Sequence, residues 1–179
     1  MLWILISGVA TILSLFIYTS SQQVLRQSAN DPQIQIAEDT AALLAGGVSP
    51  QAVVAPANID MEQSLAPFVM IFDNQGKLLI STAKPNTLPK PPQGVFENAK
   101  NYGQNRFTWQ PREDVRIAAV VVPYQSIQSG FVLVGRSLRE VEKREERLMF
   151  VTFGAFVLSI LVTTCITGII AFLLYQRKK

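Results

Sequence analysis

Two apolar runs without a single charged residue, Leu2–Thr19 and Leu148–Tyr175, stand near opposite ends of the sequence. Such runs leave few choices. In a bilayer each must satisfy its own backbone hydrogen bonds, which makes it a helix. The first, at 18 residues, is just long enough to span. The second has 28 residues. At about 1.5 Å per residue it makes roughly 42 Å of helix, enough to cross with tilt. A cleaved leader is the alternative for the first run, with Thr19-Ser20-Ser21 as its cleavage region. Against it stand the missing basic n-region and the length of the apolar stretch.

Charge gives the orientation. The chain carries 16 basic and 13 acidic residues, a formal +3. Every acidic residue lies between positions 20 and 147, and the excess of positive charge is Arg177, Lys178 and Lys179. A basic cluster beside an apolar run marks the cytoplasmic side. Both termini are therefore expected inside the cell membrane and the stretch between the runs outside. The same distribution argues against a nucleic-acid partner, which needs a basic face on the folded part.

The sequence has no histidine and one cysteine, Cys165, inside the second run. This excludes His-based catalysis, His-ligated metals and a disulfide in the outer part. No nucleophile elbow or phosphate loop occurs, so neither an enzyme nor a cofactor is expected. Asp60-Met61-Glu62 and Glu113-Asp114 pair carboxylates without a further ligand cluster, and no metal site is assigned.

The interior reads as an α+β domain. Asn30-Asp31-Pro32 is a helix start, Ile34, Ala37, Ala41, Leu44 and Ala45 form an apolar face, and Gly46-Gly47 ends it. A short helix is expected near Met61. Phe68–Phe72 is a central strand, Asp73-Asn74-Gln75-Gly76 a tight turn and Lys77–Thr82 the returning strand. The proline-rich stretch Lys84–Pro92 reads as a connector. Gly94–Tyr102 follows as a helix, then strands at 105–110, 115–123 and 130–136. Ser137-Leu138-Arg139-Glu140 is a capping box, and no Gly or Pro interrupts residues 137–153, so one rod runs into the second apolar segment.

The expected organisation is a transmembrane helix at 1–19, an extracytoplasmic domain at 20–136, a juxtamembrane linker helix at 137–147, a transmembrane helix at 148–175 and a cytoplasmic tail at 176–179. In the second run Ala155, Ser159, Thr163, Thr167 and Ala171 recur every fourth residue, the small-residue spacing that lets helices approach closely. Ser7, Thr11, Ser14 and Tyr18 share one face of the first. Packing between the two spans, or in a homodimer, is the expected use.

The stretch Val69-Met70-Ile71-Phe72-Asp73-Asn74-Gln75-Gly76-Lys77-Leu78-Leu79-Ile80-Ser81-Thr82, together with the passage from Arg116 to Leu138, resembles the hairpin and the last two strands of the PAS-like extracytoplasmic sensor fold, often called a single Cache domain. The resemblance implies a five-stranded antiparallel sheet in the order 2-1-5-4-3 with flanking helices. It also implies a small-molecule ligand held between the sheet and covering loops. Such domains feed histidine kinases or chemoreceptors in two-component-like signalling. Here Gln176-Arg177-Lys178-Lys179 alone follows the second run. The resemblance then implies signalling through a separate protein, with an accessory or scaffold membrane protein as the alternative.

For a ligand, Tyr102, Arg106, Trp109, Arg116 and Tyr124 lie on or beside the third and fourth strands and the helix preceding them. Arginine offers a fork for an anion, and aromatic walls exclude water. Each also has a plainer reading. Arg106 and Arg116 fit as surface arginines, and Trp109, with Phe107, fits as core.

Overall fold

In the computed structural model, residues 2–28, 31–55, 57–85, 90–113, 115–126 and 128–177 are described. Asn30, and with it the expected cap of the helix at 31, lies outside them. The chain divides into two units, residues 27–141 and residues 1–26 with 142–179.

The 27–141 unit is built on five antiparallel strands: β1 (Phe68–Asp73), β2 (Leu78–Ser81), β3 (Asn105–Arg112), β4 (Val115–Tyr124) and β5 (Gly130–Ser137). They lie in the order β2-β1-β5-β4-β3, the order expected from the resemblance. β4 and β5 are buried over most of their length, as strands covered on both faces must be. Residue parity sends each side chain to one of two layers. Met70, Phe72, Trp109, Ile117, Ala119, Val121, Phe131 and Leu133 form one core with Ala99 of α4 (Val95–Tyr102) and with Met61. Ile71, Val120, Val132 and Val134 form the other, with Ala37, Ala41 and Leu44 of α2 (Asp31–Ala45).

The β1–β2 turn shows why its residues were legible. Gly76 takes φ +79°, and its N–H donates to the Asp73 carbonyl at 3.1 Å. Asp73 Oδ1 accepts the N–H groups of Gln75 and Lys77 at 2.9 and 2.8 Å. These are the local bonds that make Asp a turn former.

Two elements between α2 and β1 differ from expectation. The short helix is α3 (Pro50–Val53), with Pro in its first turn, where the missing N–H costs nothing. Around Met61 the chain makes a turn instead. Asp60 Oδ1 accepts the N–H of Glu62 at 3.0 Å and of Gln63 at 3.2 Å. A carboxylate bonded this way closes one turn and does not propagate a helix.

The other unit holds α1 (Leu2–Ser28), which continues past the end of the first apolar run, and all of α5 (Arg139–Arg177) except its first turn, which belongs to the sheet unit; α5 has 39 residues without a break. Among the described residues, α5 is long and apolar enough to cross a membrane. The α1 residues Ser7, Thr11, Ser14 and Tyr18 are half-buried, as are Thr152, Phe156, Ser159, Thr163 and Thr167 of α5. Trp3 Nε1 donates to Thr164 Oγ1 at 3.1 Å.

Candidate functional site

The five residues proposed for a ligand do not converge. Trp109 is buried on the α4 face. Tyr124 is buried on the opposite face, under α2. Burial pushes its phenol above the ordinary value, and the nearby Asp73 charge adds to this. Arg106 and Arg116 are exposed and share the Tyr124 parity, away from Trp109. Arg106 is registered with Val120, four residues along β4 from Arg116. That is roughly 13 Å on an extended strand. Tyr102, at the end of α4, is 80% exposed. Alternation along a strand separates residues that linear spacing places together. The sheet parity of positions 106, 109, 116 and 124 was the signal that could have shown it.

The space between the sheet and α4 is filled. Met61, Met70, Phe72, Trp109, Ile117 and Leu133 occupy it, each at most 5% exposed. A groove opens instead at the end of this layer. It has a volume of about 430 Å³ and lies between the β1–β2 turn (Asn74, Gln75, Gly76), one side of α4 (Phe96, Glu97, Lys100, Asn101) and Phe131 of β5. Its floor is aromatic: the Phe96 ring lies 4.9 Å from that of Phe72 and 4.9 Å from that of Phe131. The turn and the helix fit closely. A Cβ at Gly76 would stand 3.4 Å from Phe96 Cε2.

The groove therefore offers one cation, one carboxylate and three side-chain amides around an apolar floor. That set suits a small molecule carrying both charges. A second hollow, about 190 Å³, lies beside Tyr124 with Leu44, Ser49, Ser126 and Gln128. Among the described residues there is no group of three or more Cys, Asp or Glu placed to hold a metal.

In the other unit, Ser159, Thr163 and Thr167 of the small-residue row are half-buried, while Ala155 and Ala171 are exposed. A row of every fourth residue drifts by about 40° per step around an α-helix. The row's ends thus leave the face that its middle occupies. The buried face follows 152, 156, 159, 163 and 167, the mixed three- and four-residue spacing of two packed helices. An apolar cavity of about 270 Å³ lies on this seam between Thr11, Leu15 and Tyr18 of α1 and Met149, Phe153 and Phe156 of α5.

The sheet order with helices on both faces defines the class of fold: that of the ligand-binding domains of bacterial amino-acid chemoreceptors. The PctB domain of Pseudomonas aeruginosa PAO1 in complex with L-Gln superposes with a TM-score of 0.51 at 19% identity, over 73% of this chain and 57% of that one. The CtaA domain of Pseudomonas fluorescens with L-serine gives 0.48 at 14%, over 73% and 62%. The PctC domain of P. aeruginosa PAO1 with GABA gives 0.47 at 12%, over 75% and 62%. The chain spans about three-fifths of the length of these solved domains. No protein-family model and no curated protein matches it.

Proposed function

We propose that this chain is a membrane-anchored extracytoplasmic sensory module that binds a small molecule carrying both charges and hands the signal to a separate protein. The observation that carries the reading is the β2-β1-β5-β4-β3 sheet, whose last strand leads through Leu138 straight into the apolar helix α5. The PctB likeness supports the fold, and the bound L-Gln of that domain suggests the size of ligand. In this reading α1 and α5 both cross the bilayer, the sheet domain lies outside and both termini lie inside. The groove at Glu97 and Lys100 is the binding site.

The test is a thermal-shift screen of the full chain in detergent against amino acids and other small zwitterions. A true ligand at a hundred times its Kd stabilises by about 2.7 kcal/mol, and Lys100→Ala with Glu97→Ala should remove the shift while leaving the unliganded midpoint in place. No shift from any compound would count against the reading.

The filled interior of the α4 face favours a second reading, in which the domain is a protein-binding surface in an accessory or scaffold protein. Affinity capture of the intact chain from membranes separates the two. A partner retained without added ligand, and retained by the Lys100→Ala, Glu97→Ala variant, supports the scaffold.

A further inference from the structure

The segment Ile59–Leu65 has no counterpart among the elements of the sheet, yet it is tied down along its whole length. At its start the Ile59 N–H donates to the Thr82 carbonyl at 2.8 Å, and the Lys84 N–H donates to the Ile59 carbonyl at 3.0 Å. Asn58, just before it, holds φ +48°, a left-handed conformation that is uncommon outside glycine and fixes the entry angle. Asp60 pairs with Lys84 at 3.0 Å while its other oxygen holds the turn described above. That pairing, followed by the bond from the Glu62 N–H, keeps the Asp60 carboxyl below its ordinary value.

Met61 is the inward end. Its side chain is 3% exposed and belongs to the core that contains Trp109, Ile117 and Phe68. The outward side is held by three arginines from three elements. Arg112 of β3 pairs with Glu62. Arg136 of β5 donates through Nε to the Leu65 carbonyl at 3.0 Å. Arg139, the first residue of α5, donates through Nη2 to the Gln63 carbonyl at 3.1 Å. The Arg139 side chain also lies 4.0 Å from Glu140, and its N–H donates to Ser137 Oγ at 3.3 Å.

We infer that Ile59–Leu65 is a strap that couples the core of the α4 face to the first turn of α5: Met61 reads the packing of that core, and the carbonyls of Gln63 and Leu65 transmit its position to Arg139 and Arg136. Carbonyl acceptors suit this use, because they move rigidly with the backbone and have no rotamer to absorb a displacement. The strap is a conformational device distinct from the groove and needs no ligand there. A failed ligand screen and a failed strap are therefore separate results.

The experiment is hydrogen exchange on the full chain in lipid nanodiscs, with two substitutions, at exposed Arg139 and half-buried Asp60, read in opposite directions. Arg139→Ala should speed exchange of the Gln63, Ser64 and Ala66 amides by about fivefold, the effect of losing one hydrogen bond of ordinary net strength. Asp60→Asn, which loosens the strap from its other end, should speed the Leu138 and Arg139 amides. Coupling between two elements is reciprocal, so both directions are required. The β4–β5 ladder amides should not change, and Arg139→Lys, which keeps the charge and a donor, should exchange more slowly in the strap than Arg139→Ala. Acceleration confined to the substituted segment, in either direction, overturns the inference. So does equal acceleration in Arg139→Lys and Arg139→Ala.

Discussion

The tip of the Phe68 ring occupies the space beside Gly135 that a side chain would need: a Cβ at Gly135 would stand 2.3 Å from Phe68 Cζ and 3.0 Å from Ile117 Cγ2. The two residues face each other across the β1–β5 ladder, and Phe68 is 1% exposed, so the ring has nowhere to retreat. Gly135→Ala should destabilise the domain by about 1–3 kcal/mol, the cost of overpacking a filled core. Denaturant unfolding reads it, and Phe68→Leu in the same chain should recover part of the loss.

Trp109 and Arg106 should behave oppositely although they are neighbours on β3. Trp109 is 5% exposed in the α4-face core, and Trp109→Ala should cost about 3–5 kcal/mol. Arg106 is exposed, and Arg106→Ala should stay within about 0.5 kcal/mol of the parent. A similar loss for both would contradict the layer assignment.

The Asp60–Lys84 pair predicts an acid-sensitive strap. The folded-state pKa of Asp60 is lowered from the ordinary 3.8. Its contribution is thus complete above the unfolded value and disappears as pH falls through the folded one. Strap amides should lose protection below about pH 4 before the β4–β5 ladder does. In Asp60→Asn that early step should vanish.

Tyr124 makes the alkaline counterpart. Its phenol titrates above the ordinary 10.0 through burial and then the Asp73 charge. A raised value means that the contribution is whole below the unfolded pKa and is lost as pH rises through the folded one. Phenolate absorbance of the parent should show a late-titrating tyrosine, absent in Tyr124→Phe.

The α1–α5 pair can be tested by cross-linking in a Cys165→Ser background. Cysteines replacing Trp3 and Thr164 should be joined in membranes by a short bis-thiol cross-linker, which spans the reach of the lost indole. A pair at Trp3 and Phe172, about two turns further along, should not. Thr163→Leu, on the half-buried face, should lower the yield, whereas Ala155→Leu, on the exposed side, should leave it intact.

The strands were readable because their local signals agree. Alternation, the Asp73–Gly76 turn and the long apolar stretch from Val115 to Pro123 all point the same way, and β1, β4 and β5 start where the sequence places them. The groove was not readable. Asn74, Glu97, Lys100 and Phe131 come from three elements whose approach is set by sheet order and helix docking, and no spacing along the chain encodes that approach. The strap was hidden for a related reason. The acceptors of Arg136 and Arg139 are main-chain carbonyls, which every residue has and no side-chain pattern announces.

On the seam between α1 and α5, the hydroxyls of Thr11, Ser159, Thr163 and Thr167 all donate to carbonyls of their own helix. They shape the seam without fastening it. Small, self-satisfied groups let two helices lie close while making sliding or turning cheap, because no cross-bond on those hydroxyls must break. Trp3, gripping Thr164, then acts as a detent on an otherwise smooth bearing.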